Sequence, residues 1–541
     1  MPIVNKKEYL QVQIFSPLAL DSLPIKPLHC YKSTRTHTHE QCQLPRGQLK
    51  ISKNFQFEEE NFSGRGWRNS PFLAKMQSES GSHTELTDAT IADNEAIVEQ
   101  MKELRFNEKN LIIYSAPGIN DELSARYLRS YAFVTLKRRS PAFIGDLITV
   151  LRNREPEIIE ECGDYAHFDL KRTIWSLELL RGEMLNNDEF QIFRVKAPDT
   201  ESWNAFLLAL TEDRRQWFSA VWLHAECYMY RRIWSIFQRS DTLANYDYFG
   251  EQKTSATRSL TPMMRNILVA SRKLPRSQEN FQHLLKLSVW ANRCDLSVTT
   301  EAPDAKIFHR IAKYDANLLA DQSADIWKDL TEACEPVYVD IVCDNAGFEL
   351  FADLLLAEYI VESGLARRVR FHVKAIPWFV SDVTHQDFHW MLDFFRKHNL
   401  PELRVFGRKI RGYLRDRSFI LCDKSYFWTS GHDCSQMKRV QPCLYVYISE
   451  AALAIFKGDL NYRKLLGDIN YKSTVPFADC LRGFQPTSVC ALRVIKSDIY
   501  CGLPVCTVEW LTEDNPEWMS TGKKAVIQVA IKHRLSSDTV V

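Results

Sequence analysis

Residues 337–382, VYVDIVCDNAGFELFADLLLAEYIVESGLARRVRFHVKAIPWFVSD, constrain the fold more than any other part of the chain. Residues 337–342 are β-branched and apolar almost throughout, as a strand covered on both faces of a parallel sheet should be. The run stops at Asp344 and Asn345, and Ala346 and Gly347 let the chain turn. Residues 348–359 are then apolar nearly all round, with Asp353 and Glu358 marking a wetter side and Gly364 placed as a C-cap. A second β-rich run, 369–373, leads into Lys374 and ends on Asp382. Strand, polar turn, helix, strand, polar turn is a βαβ unit, and ligands of open α/β sheets sit in the crevice at the carboxyl ends of the strands. The expected fold class is α/β: a helical N-terminal subdomain plus a three-layer α/β/α Rossmann-like domain, with the site at strand C-terminal ends.

At 541 residues the chain exceeds one simple core, so more than one folding unit is expected. We read residues 1–120 as a disordered extension, 121–330 as a mainly helical subdomain and 331–541 as the α/β domain. The extension is polar, Gly/Ser-rich and aperiodic, and its His37/His39 pair reads as an exposed tract rather than a metal site. Basic and acidic residues, 69 and 68, nearly cancel, so no global field favours nucleic acid or a membrane surface. No run approaches the ~18 consecutive apolar residues of a membrane span, and the first residues lack a secretory pattern. A cytoplasmic monomer is expected, with a nuclear location also compatible. The 14 cysteines are scattered without a C-x-x-C pair, and Cys343, Cys422 and Cys490 fall in or beside apolar runs. Buried reduced thiols, not a zinc site, are the expectation.

Helical periodicity runs through much of residues 127–290, with Pro141 suited to a helix's first turn and Glu226, Tyr230 and Arg231 on related turns. Asn292 and Asp295 end a helix. Residues 301–330 read as a charged connector with helical tendency, 404–416 as a basic surface loop, and 418–423, 452–457, 490–498 and 525–531 as strands.

Asp344, Asn345 and Asp382 are hard oxygen donors at strand ends, the kind a divalent Mg²⁺ or Mn²⁺ takes while leaving positions for water and a phosphate. A plain capped turn is the structural alternative. Glu349, in a helix's first turn, either complements the helix dipole or serves the site. Lys374 faces a phosphate or neutralises Asp344 and Asp382. Trp378 and Phe379 read as pocket wall or core. In FKGDLNYRK, 456–464, Gly458 permits a tight turn, and a helix beginning near Asn461 offers free N–H groups to an anion, with Arg463 or Lys464 adding charge. No Walker pattern is present, so nucleoside triphosphate binding is not implied.

DNAGFEL, KAIPWFVSD and FKGDLNYRK, in that order, resemble the metal-dependent damage-control phosphatase family, most closely its sugar-phosphate phosphatases also described as acidic residue methyltransferases. The resemblance extends over residues 130–529 and takes in ECYMYRRI at 226–233 and the W-x-N-x-C-D-L-S pattern around Asn292. It implies a metal held by Asp344, Asn345 and Asp382, with Mn²⁺ expected ahead of Co²⁺, Ni²⁺ or Mg²⁺, and Asp344 and Asp382 as catalytic groups. It assigns substrate contacts to Glu349, Lys374, Asp459, Leu460, Asn461, Tyr462, Arg463 and Lys496, and support to Glu226, Arg231, Asn292 and Arg493. The family's late Arg-Thr-x-Lys motif reads Arg493-Val494-Ile495-Lys496 here, keeping both cations and losing the hydroxyl. The implied activity is hydrolysis of small sugar phosphates, such as fructose 1-phosphate or fructose 6-phosphate, in metabolite damage control, with water or Asp344 attacking. The alternative is an S-adenosylmethionine-dependent protein-glutamate O-methyltransferase linked to the DNA damage response. A Rossmann methyltransferase usually has a Gly-rich turn after its first strand, whereas DNAGFE has one glycine. A non-catalytic binding protein is a third reading, opposed by the intact Asp344, Asn345 and Asp382.

Overall fold

Between β2, Tyr338–Val342, and β5, Ala451–Lys457, the chain changes direction across its sheet, and this decides where a ligand can sit. From β2 it winds outward one way, through β3, Arg368–His372, to β4, Phe419–Leu421; from β5 it winds the other way to β6, Ser488–Val494. The seven-stranded order is β1-β7-β6-β5-β2-β3-β4, with β1 at Leu318–Asp321 and β7 at Ala525–Ala530. The strands β2 to β6 pair in parallel, β6 and β7 pair antiparallel, and β1 follows β7 in parallel. This computed structural model describes residues 113, 115–272, 274–291, 308, 311–333 and 338–532. All of them lie in the unit Trp67–Val541.

Every residue of β5, β6 and β7 is buried, which explains their largely apolar sequences, interrupted at Lys457, Ser488, Arg493 and Gln528: both faces of the sheet are covered. One face carries Val342, Ala454, Phe456, Ala491 and Val526 and packs against the helical segments of residues 131–249. The other carries Val339, Ile341, Ile455, Leu492 and Ile527, covered by the helices Gln278–Trp290, Phe348–Glu362, His385–Lys397 and Pro401–Arg415. The architecture is the expected α/β, with helices on both faces.

Some local expectations are corrected. Residues 404–416 are not a loop: Pro401–Arg415 is a helix with Pro401 in its first turn. Its buried Leu403, Phe406 and Ile410 follow helical spacing, while Arg404, Arg408, Lys409 and Arg411 face outward; the charges hid the period. The segment read as a connector keeps its helical tendency in Ser323–Glu332 but also contributes β1, so the sheet takes in a strand before Val337. Asp353 is not on a wet face: it is 1% exposed and accepts from Lys457 at 2.8 Å. The helix expected near Asn461 starts at Gly458. Ile113 and Asn120, counted in the extension, are hydrogen-bonded to the body, through Leu128 N to Ile113 O at 2.9 Å and Asn120 N to Asn470 O at 2.7 Å. His37, His39, Asn292 and Asp295 lie outside the described residues.

Candidate active site

β2 ends one residue before Cys343, and Asp344 and Asn345 then turn across the mouth of the sheet toward Ser381 and Asp382. The two turns are tied by their backbones: Val383 N donates to Asp344 O at 2.8 Å and Ala346 N to Ser381 O at 2.7 Å. Phe379 and Val380 hold positive φ of 41° and 67°, which a β-branched residue adopts only when its surroundings impose it. That turn presents Asp382. Gly458, with φ 82°, opens the helix Gly458–Leu466 directly opposite, and a Cβ there would collide with the Asp344 carboxylate.

These elements line a cavity of about 380 Å³. Asp344, Asn345 and Asp382 form one wall; Arg139, Arg463 and Lys496 bring positive charge to the same space; Glu226, Asp459 and Leu460 also line it. Tyr230 and Phe379 stack with ring centroids 4.4 Å apart and supply an apolar wall.

Asp344 and Asp382 are buried close to Glu349. Burial first, and then the charges of Glu349 and Asp382, push Asp344 well above the ordinary carboxylate range. Burial and Glu349 raise Asp382 to about 6 even though Lys374 opposes them. Asn345 Nδ2 donates to Asp344 Oδ2 and Glu349 Oε2, each at 2.8 Å, while Ser381 Oγ donates to Asn345 Oδ1. Asp382 Oδ2 is buried and, although 3.0 Å from Lys374 Nζ, accepts no aligned hydrogen bond.

Crowded, desolvated carboxylates beside a side-chain amide are a donor set that fits a hard divalent cation. Asp344 and Asp382 would hold it through oxygen, and half a turn of the Asn345 amide would add a third oxygen. Among the described residues, no three His, Cys, Asp or Glu side chains converge as a metal cage.

The remaining expected site residues fall into distinct places. Glu349 is buried and anchored by Lys457 Nζ at 2.8 Å. Lys374 is fully buried behind Asp382, donating to Cys343 O at 2.8 Å, and therefore neutralises carboxylates instead of lining the cavity. Asn461 is buried beneath the site, with Nδ2 on Lys457 O at 2.7 Å. Tyr462 points away, donating to Gln528 Oε1 at 2.8 Å and stacking on Phe477. Arg463 reaches the cavity but is held by Asp468 at 2.6 Å, by Glu226 and by the Trp222 ring. Arg493 donates to Asp459 Oδ1 at 2.7 Å, and Lys496 N approaches the same oxygen at 3.2 Å. Lys496 is itself exposed. Arg231 is not brought here: it forks onto Asp199 at 2.7 and 2.8 Å.

Comparison with known proteins decides the family. Residues 135–511 match the model of the damage-control phosphatase ARMT1-like domain. The chain is 34% identical over 436 residues to damage-control phosphatase ARMT1 of Danio rerio, covering 76% of this chain and 97% of that protein. It is 32% identical over 430 residues to the Homo sapiens protein of that name, with 75% and 97% covered. This chain belongs to the ARMT1-like damage-control phosphatase family. A DUF89 family protein from Pyrococcus horikoshii matches 71% of this chain and 97% of its own at 16% identity, with a TM-score of 0.36.

Within this family member, sequence reasoning missed two cations. Lys457, buried at the end of β5, bridges Glu349 and Asp353, each at 2.8 Å. Its place between an apolar strand and Gly458 was the available signal. Arg139 carries no motif; it reaches the cavity from the π-helical turn Thr135–Arg139, a rare geometry that recurs at functional sites.

Proposed function

We propose that this chain is a divalent-metal-dependent phosphatase that hydrolyses small sugar phosphates, with fructose 1-phosphate and fructose 6-phosphate as the leading substrates. The observation that carries this reading is the polarity of one small cavity, with Asp344, Asn345 and Asp382 on one wall and Arg139, Arg463 and Lys496 around the rest. Mn²⁺ is the proposed ion, ahead of Co²⁺, Ni²⁺ and Mg²⁺, and when bound it polarises the phosphoryl group. Glu349, fixed by Lys457, accepts from the Asn345 amide in the arrangement without metal and releases it when the amide turns. Lys496 and Arg139 attract the phosphate, while Arg463, committed to Glu226 and Asp468, mainly braces the wall. Asp459, anchored by Arg493, offers a carboxylate to sugar hydroxyls, and the Tyr230–Phe379 stack suits the C–H face of a sugar. A volume of about 380 Å³ matches a monosaccharide phosphate.

The test is phosphate release from a panel of sugar phosphates, with EDTA and after adding back each metal. Metal-dependent release from hexose phosphates supports the reading. Methyl transfer from S-adenosylmethionine without release of any phosphate would overturn it.

A further inference from the structure

A second cavity, of about 480 Å³, shares no lining residue with the first. His372, the last residue of β3, and Cys422, just past β4, face it together with Tyr447 and Cys443 of the helix Pro442–Ser449. Cys422 Sγ lies 3.8 Å from His372 Nε2 and 3.9 Å from the Tyr447 hydroxyl. His372 Nε2 is also 3.5 Å from Asp340 Oδ2. Burial disfavours the imidazolium, but the Cys422 sulfur and the Asp340 carboxylate outweigh it and hold His372 up at about 10. Arg370 forks onto Asp340 at 2.5 and 2.8 Å and stacks 3.8 Å over the Tyr447 ring, adding a second cation behind the same group.

Asp340 and Cys422 approach one and the same ring nitrogen, so this is not the two-nitrogen relay of a hydrolase triad. It is a thiol set against a buried imidazolium at the wall of an accessible space. Such cationic neighbours separate reactive cysteines from inert buried ones. Cys343, Cys434 and Cys490 are the inert kind here, pushed up by burial.

We propose that Cys422 is a covalent modification site for small α,β-unsaturated carbonyl compounds entering this cavity. Sγ gives its proton to solvent, the His372 imidazolium steadying the sulfur anion, and sulfur attacks the β-carbon of the electrophile. An S–C bond forms, the C=C pair shifts to the carbonyl oxygen as an enolate, and the enolate takes a proton from His372, which regains one from solvent. Nothing leaves, and no oxidant is needed.

The exposed Cys443 and Cys506 provide the internal comparison. Full-length protein is treated with limiting N-ethylmaleimide at neutral pH, and peptide mass spectrometry follows each cysteine. Cys422, although only 7% exposed, is expected to react about tenfold faster than Cys443 and Cys506. His372→Gln is expected to slow Cys422 about tenfold without changing the two exposed sites. Tyr447→Phe, at a half-buried position, is expected to slow it by a smaller factor and serves should the histidine variant not fold. Labelling of Cys422 no faster than Cys443 and Cys506 overturns the proposal, as does a rate at Cys422 unchanged in the folded variants.

Discussion

At the scale of single residues, Asp382 and Asp344 hold protons more tightly than ordinary carboxylates, so the proposed metal ion would have to displace them. With Asp382 raised to about 6, falling pH refills it with protons. Metal affinity is therefore expected to weaken below pH 6 and to strengthen above it. Calorimetry of Mn²⁺ binding in buffers of different ionisation enthalpy checks this, because proton release makes the observed heat depend on the buffer. Asp382→Asn is expected to abolish binding and turnover and also to lower the melting temperature, since it leaves the buried Lys374 ammonium without its carboxylate partner. Lys496 and Arg463 separate in the opposite sense. Lys496 is exposed at the rim, so Lys496→Ala is expected to lower kcat/KM by about 10- to 100-fold, the value of a hydrogen bond to a charged group, with stability unchanged. Arg463→Ala strands the buried Glu226 and Asp468 and is expected to cost about 3–5 kcal/mol of stability, read by denaturant unfolding. That Asp344, Asn345 and Asp382 meet at one cavity was legible in the sequence, because polar residues end neighbouring strands there, whereas the metal role assigned to them came from the family resemblance. The difference between Lys496 and Arg463 was not, because Glu226 is 237 positions from Arg463 and only folding makes them partners.

At the scale of elements, the Pro401–Arg415 helix and the Gly458 turn carry the sharpest consequences. Phe406 packs its ring against Phe351 and Phe395, with centroids 5.5 and 5.8 Å away. Phe406→Ala is expected to cost about 3–5 kcal/mol, whereas a residue in a surface loop would cost almost nothing. Chemical unfolding decides between them. Gly458→Ala drives a methyl group into the Asp344 carboxylate and imposes a side chain on φ 82°. Mn²⁺ binding measured by calorimetry is expected to vanish in this variant. Strands β2, β5, β6 and β7 were readable because burial on both faces forces largely apolar runs, and β3 from the alternation of Val369, Phe371 and Val373 in and just past it. The short β1 was not, because four mostly half-buried residues carry too little pattern, and the 401–415 helix was missed because its cations were weighed ahead of the helical spacing of Leu403, Phe406 and Ile410.

At the scale of the whole molecule, the ordered body reaches back past the boundary that composition suggests. A truncated chain beginning at residue 111 keeps the bonds of Ile113 and Asn120, whereas one beginning at Asp121 loses them. The shorter chain is expected to melt several degrees lower in calorimetry, while the longer of the two matches the full chain. The sheet imposes an order of assembly as well. Strand β1 meets the sheet only through β7, and β7 meets it only along β6. Residues 318–321 thus emerge from the ribosome long before the strand that receives them. During synthesis, β2 to β6 can zip together as each arrives, while β1 waits with its backbone groups unpaired. Strand β7 acts as a clasp: a nascent chain stalled before Ala525 carries a sheet open along the whole of β6, an unpaired edge on which a neighbouring chain can add.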